Sequence, residues 1–395
     1  MDPPARWFTP ERIAHLKEHG YVIIPGVVAP DVCAKRFENV LEYYRAWDPA
    51  MELQGDSKRW SSTHMPTGTV HGITGVGHLA AQWETRQDEA VVECFEEYWG
   101  TKELVVSFDR LCFYHKDAPR QSMPNSWRHS DQGPPVKKPV TFLDGTSTRT
   151  PLEGRCLQGY LCLTDSTGED DGCLVVNDKG HRAHAGFFAQ NPQYADKGAA
   201  DGNWVRYTHE ALEKAGADPT FLAKIESDGR NWLSPDDPLF NSQEPVPMRT
   251  TKVRAPVGSM VFWYSRTPHE NCAPKPSGNH RAVIYVCMAP SKWLTEKDIA
   301  NRVAAWEKKI PTSHWPCGGQ TKVFPPPYYR GQADLAKKPR IEALGKHPLL
   351  TTPTLTPLGM RLLKGPSTRL WDAHTLLFKE KERKKAYRSK KAFDK

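Results

Sequence analysis

A histidine and a carboxylate two positions apart set the strongest constraint on this chain: His129 and Asp131, in the run Ser126-Trp127-Arg128-His129-Ser130-Asp131-Gln132-Gly133. Side chains of an extended strand alternate faces with period two, so this pair points to one side and can grip a metal ion from there. One imidazole and one carboxylate leave a first-row metal short of protein ligands, so a second histidine has to arrive from elsewhere. His269 is the candidate. It follows the strand-like run Gly258-Ser259-Met260-Val261-Phe262-Trp263-Tyr264, which opens on a Gly turn, and precedes a second run, Arg281-Ala282-Val283-Ile284-Tyr285-Val286-Cys287. His129, Asp131 and His269 together make the two-histidine, one-carboxylate facial triad that leaves three positions open on non-haem Fe(II).

Arg281, twelve residues after His269, starts the strand expected beside the metal, where a guanidinium can hold a carboxylate bidentately. Between the two halves of the triad lie Cys156-Leu157-Gln158-Gly159-Tyr160-Leu161-Cys162-Leu163-Thr164-Asp165, a turn over Ser166 to Asp171, and Gly172-Cys173-Leu174-Val175-Val176-Asn177-Asp178-Lys179-Gly180-His181. With His-x-Asp, the Asp-Gly-Cys-Leu-Val-Val strand ending in Gly180-His181, the distal His269 and the following Arg281, the chain resembles the phytanoyl-CoA dioxygenase family of Fe(II)- and 2-oxoglutarate-dependent oxygenases. The likeness begins at His19-Gly20-Tyr21-Val22-Ile23-Ile24-Pro25-Gly26-Val27-Val28 and runs to about residue 290. Two features depart from the family: the gap of about 138 residues between Asp131 and His269, and a tail of about 100 residues after the core.

The resemblance implies a mainly β fold with flanking helices, a double-stranded β-helix or jelly-roll barrel. It implies Fe(II) on His129, Asp131 and His269, 2-oxoglutarate as cosubstrate and O₂ as oxidant, with release of succinate and CO₂ as a substrate is hydroxylated or otherwise oxidised. The far carboxylate of 2-oxoglutarate would pair with Arg281. Gln158 and Tyr160 share one strand face and would hydrogen-bond the cosubstrate, while Trp263 would wall the pocket; parity alone does not say which face is inward. Acyl-CoA specificity does not come with the resemblance, because the family's members act on many unrelated molecules.

At 395 residues, with 38% hydrophobic and 10% aromatic residues, the chain has the composition of a folded protein with a substantial core. No run approaches 18 apolar residues and Met1-Asp2-Pro3-Pro4-Ala5-Arg6 lacks a signal-peptide core, so the expectation is an intracellular protein, cytoplasmic or nuclear, with no membrane partner. Nine scattered cysteines without a Cys-x-x-Cys pair fit reduced, mostly buried thiols. Helices are expected after Thr9-Pro10 and Ala29-Pro30, over Asp88 to Tyr98 and over Thr295 to Lys308; strands over Tyr21 to Val28 and Glu103 to Tyr114. His181 and His184 read as buttresses of a turn rather than ligands. The domain organisation expected is an oxygenase domain over 1–290 with an insertion at about 187–243, a helix and Pro-rich wrap over 291–378, and a basic tail over 379–395. A long insertion beside a site reads as a lid. The tail, Lys379 to Lys395, holds nine Lys/Arg against three Asp/Glu, net +6 of the chain's +8; it reads first as a solvated, partly helical end, with nucleic-acid contact or a nuclear address as the other reading. Two other readings stand beside the oxygenase: a jelly-roll protein that binds without catalysis, and a nucleic-acid-associated protein led by this tail.

Overall fold

The computed structural model describes residues 6–61, 64–65, 70–71, 76–119, 128–133, 140–148, 156–182, 184, 205–206, 249–323, 338–344, 353–366 and 368–393. Two antiparallel sheets carry the architecture. Numbered in chain order, the larger runs β1 (Tyr21–Ile24), β12 (Met260–Tyr264), β8 (Leu157–Cys162), β14 (Arg281–Val286), β4 (Leu111–Tyr114) and β2 (Val70–His71). The smaller runs β10 (Val205–Arg206), β5 (His129–Ser130), β13 (His269–Cys272), β9 (Cys173–Asp178) and β11 (Arg249–Val253). Two short pairs complete the strands, β3 (Leu104–Val106) with β15 (Met288–Pro290) and β6 (Val140–Thr141) with β7 (Ser147–Thr148).

The larger sheet is buried on both faces, which is why β8 and β12 read as continuous apolar runs rather than alternating ones. On its outer face Leu161, Phe262, Ala282 and Ile284 meet the helices Pro10–His19, Pro30–Trp47 and Glu89–Trp99 in the main core. On its inner face Tyr160, Cys162, Val261, Trp263 and Val283 meet Leu174, Val176 and Val253 of the smaller sheet in a second core. The parity left open by the sequence is thereby resolved. Gln158, Tyr160, Trp263 and Arg281 all belong to the inner face, towards the smaller sheet.

Local chemistry sets the boundaries. Thr9 caps the first helix by accepting from the Arg12 N–H, Pro10 occupies its first turn, and Gly20 ends it at φ 81. Thr295 and Asp298 form a reciprocal capping box on the helix Glu296–Lys308. Gly258, at φ 79, turns the chain into β12 so close to Val28 that a Cβ there would sit 2.0 Å from the Val28 carbonyl oxygen.

Two expected strands are shorter than the sequence suggests. Tyr21 to Val28 pairs only to Ile24, since Gly26 at φ 68 breaks the extended run. Glu103 to Tyr114 divides into β3 and β4, because Phe108 exchanges hydrogen bonds with Thr312 of the C-terminal region instead of continuing a ladder. Of the insertion at 187–243, only Val205–Arg206 lies within the described residues, and it pairs with β5 beside His129; the helical segment Thr208 to Ala215 and the Pro-rich run Phe324 to Tyr329 lie outside them. Residues beyond 290 join the main core through Ile299, Val303, Leu362 and Trp371. Among the described residues no helix is long and apolar enough to cross a membrane, and all nine cysteines are free thiols, eight buried and Cys272 half-buried.

Candidate metal centre

β13 is the element that assembles the site, pairing with β5 on one side and β9 on the other. Its first residue, His269, lies directly opposite His129, which puts both imidazoles on one face with ring centroids 4.4 Å apart. Asp131 follows the two-residue strand β5, its N–H held by the Ser265 carbonyl at 2.9 Å. One donor atom from each of His129, Asp131 and His269 falls within 4.8 Å of the others. The Nε2 atoms face the two carboxylate oxygens, His129 at 3.7 Å from Oδ1 and His269 at 3.3 Å from Oδ2.

The orientation of His269 is fixed from behind. Its Nδ1–H donates to the Thr267 carbonyl at 2.8 Å, which leaves Nε2 as the lone-pair nitrogen aimed at the shared space. Burial pushes the Asp131 carboxyl up, but the imidazoles of His314, His129 and His269 outweigh it and hold the group well below the usual carboxylate range. A carboxylate oxygen pair facing two imidazole nitrogens is the donor set of a first-row divalent metal, and the three residues fit one.

On the far side of the same sheet an ion pair locks the register. Arg128 donates from Nη2 to Glu270 at 2.7 Å and from Nη1 to Asn177 at 2.7 Å, so the neighbours of both histidine ligands are clamped together. His184 Nε2 donates to the Gln132 carbonyl and His181 Nε2 to the Lys17 carbonyl, the buttressing roles their positions suggested.

The remaining expected residues distribute as follows. Gln158 donates from Nε2 to Asp131 Oδ2 at 3.0 Å and to Ser265 Oγ at 3.1 Å, so its amide orients the carboxylate ligand. Trp263 stands 5.4 Å from the His269 ring and lines the cavity; its indole N–H is buried without a hydrogen-bond partner among the described residues. Tyr160 lies between Trp263, at 5.6 Å, and the Arg281 guanidinium, at 5.5 Å from its ring. Arg281 is 2% exposed; Nη1 contacts Cys112 Sγ at 3.2 Å, and Nη2 has no hydrogen-bond partner among the described residues. Arg281 and Trp263 thus each leave a buried N–H donor on the inner face of the larger sheet, the kind of group an anionic ligand satisfies.

A cavity of ≈ 210 Å³ opens onto the triad and Trp263, and five further lining residues went unnoticed in the sequence: Asp109, Arg110, Asn271, Tyr285 and His314. Asn271 and Tyr285 had a signal, each lying on the face of a residue already singled out, two after His269 and four after Arg281. They hydrogen-bond each other at 3.0 Å. His314 had none: it comes from the chain beyond the helix Glu296–Lys308, where Trp315 also donates its indole N–H to the Asp131 carbonyl at 3.1 Å.

No known family profile matches the chain. The Ava biosynthesis cluster protein O of Aspergillus versicolor is 26% identical over 309 residues, 77% of this chain and 85% of its own length. Among solved structures, the non-heme alpha ketoglutarate dependent carbocyclase SnoK from nogalamycin biosynthesis aligns at a TM-score of 0.41 and 15% identity, covering 72% of this chain and 85% of its own. HygX from Streptomyces hygroscopicus with nickel and 2-oxoglutarate bound aligns at 0.37 and 12% identity, covering 74% of this chain and 90% of its own.

Proposed function

We propose that the protein is an Fe(II)- and 2-oxoglutarate-dependent dioxygenase of the phytanoyl-CoA dioxygenase-like type, built on a double-stranded β-helix, that hydroxylates or otherwise oxidises its substrate and releases succinate and CO₂. The observation that carries this reading is the triad of donors within 4.8 Å together with the buried, partly unsatisfied Arg281 on the facing sheet.

His129, Asp131 and His269 would hold the iron, and Gln158 fixes which way the carboxylate faces. Arg281 would take the far carboxylate of 2-oxoglutarate as a two-pronged donor, and the buried Trp263 N–H would offer it a further donor. Iron with 2-oxoglutarate bound there would supply the oxidising power for the substrate's oxidation. The chain's own part is positional. Tyr285 and Asn271 hold each other at the cavity wall, and Asp109, Arg110 and His314 give the substrate polar groups to meet. Leu174 gives the cavity an apolar wall, backed by the packed core of Val176 and Val253.

The test is an anaerobic titration of 2-oxoglutarate into the Fe(II)-loaded protein, followed by the metal-to-ligand charge-transfer absorbance, then admission of O₂ with assay of succinate. Saturable absorbance with O₂-dependent succinate is the expected result. Iron binding without either signal would leave a binding protein in place of an enzyme.

A further inference from the structure

Cys156 and Cys287 lie with their sulfurs 3.7 Å apart, both 1% exposed, at the start of β8 and just past the end of β14. These two strands carry Gln158 and Arg281. We propose that Cys156 and Cys287 are a peroxide-responsive dithiol beneath the metal centre, closing to a disulfide when the protein meets a peroxide.

Three features separate this pair from the other thiols. The sulfurs need to approach by only about 1.7 Å to reach bonding distance. The His314 imidazole, which lines the cavity, acts electrostatically on the Cys156 thiol. Burial pushes the Cys156 thiol up, yet the Cys287 contact and the charge of His314 outweigh it and hold the group below its ordinary value. Cys33 and Cys162 show the contrast: burial pushes them up, to about 11 and about 12, and keeps them as inert thiols. Cys173 and Cys272 also face each other across β9 and β13 and make the control pair; Cys287 is pushed up by burial and by Cys156, and Cys173 by Cys272 and by burial.

The chemistry balances with a hydroperoxide as the only co-reactant. The Cys156 sulfur attacks one peroxide oxygen, the O–O bond breaks, and with hydrogen peroxide one water leaves as Cys156 becomes a sulfenic acid. The Cys287 sulfur then attacks the Cys156 sulfur, and its proton departs with the hydroxyl as a second water. Two thiols are oxidised, one peroxide is reduced, and no metal takes part. Closing the bond also draws on the site above it. The Cys156 carbonyl accepts from Ser265 N–H at 2.8 Å, the Ser265 carbonyl accepts from Asp131 N–H, and Gln158 spans Ser265 and Asp131.

The experiment treats the full-length chain, with Zn(II) in place of a redox-active ion, with increasing hydrogen peroxide, blocks remaining thiols by alkylation, and maps peptides by mass. The expected result is a peptide pair joined through Cys156 and Cys287, short of two hydrogens, that appears before any other thiol changes and disappears with dithiol reductant. In Cys287→Ser, Cys156 is expected as a dimedone-trapped sulfenic acid, and His314→Gln should form the disulfide several-fold more slowly. Full alkylation of both thiols after others have oxidised overturns the proposal, as does a Cys173–Cys272 link in its place. A second arm rests on the metal reading: Ni(II) affinity should fall on oxidation and return on reduction. Unchanged affinity beside a mapped disulfide would sever the link to the site while keeping the dithiol.

Discussion

At the scale of single residues, each ligand is expected to be dispensable for folding and indispensable for metal. His129→Ala, Asp131→Ala and His269→Ala remove one of three donors, and the two packed cores of the sheets do not depend on an ion to close. Equilibrium dialysis with Ni(II) should show binding lost in all three while the thermal midpoint holds; retained binding in one variant removes that residue from the ligand set. Arg281 poses a different question. Its replacement by Ala takes away a charge-assisted pair in a buried position, a cost on the order of 2 to 5 kcal/mol by analogy with truncated buried ion pairs. That corresponds to roughly a 30-fold to several-thousand-fold loss of 2-oxoglutarate affinity, with Lys recovering part because an ammonium is one point charge where the fork offers two parallel bonds. Metal affinity should be unchanged in both variants. If the charge-transfer titration gives wild-type affinity in Arg281→Ala, the far carboxylate is held elsewhere.

At the scale of elements, the site depends on partners that fix how the ligand strands sit. Gln158 from β8 and Trp315 from the C-terminal region hold the side chain and the carbonyl of Asp131, and outer partners of this kind typically carry 10- to 100-fold in metal affinity. Gln158→Leu should therefore weaken Ni(II) binding by about 10-fold or more, with Trp315→Phe following in the same direction. Wild-type affinity in both would mean that Asp131 is held by its ladder alone. These partners also show what was legible in the sequence. His-x-Asp, the distal histidine and the arginine could be read because strand periodicity and spacing are local properties of the chain. That Gln158 would address Asp131 could not, since its face followed only from which side of β8 met the smaller sheet. His314 and Trp315 were invisible for a stronger reason: 183 positions separate His314 from Asp131, and nothing local marks a loop that returns over a distant strand. The break between β3 and β4 has the same origin in Thr312.

At the scale of the whole molecule, the buried histidines decide how the fold responds to acid. His78, His181 and His184 are sealed inside and donate to the carbonyls of Ile310, Lys17 and Gln132. They join segments far apart in the chain. Burial pushes all three down, opposed only in part by those hydrogen bonds; His184 is pushed down to about 4, and His78 and His181 lie well below their ordinary value. Each therefore stays neutral in the folded chain while its unfolded counterpart takes up a proton near pH 6.5. Between those limits the unfolded state binds more protons, so stability rises with pH: it is whole above about pH 6.5 and drains as the pH falls towards 4. His184 alone is worth on the order of 3 kcal/mol across that interval. Carboxylates held low by ion pairs act below their unfolded values near pH 4, so the interval from about 6.5 to 4.5 isolates the histidines. In chelator, so that the ligand imidazoles do not couple to metal, the urea midpoint should fall steeply from pH 6.5 to 5. His184→Gln, which keeps a donor for the Gln132 carbonyl but cannot charge, should lower the slope by about one proton. A midpoint constant from pH 7 to 5 in the parent chain would mean that these imidazoles reach water before the fold gives way.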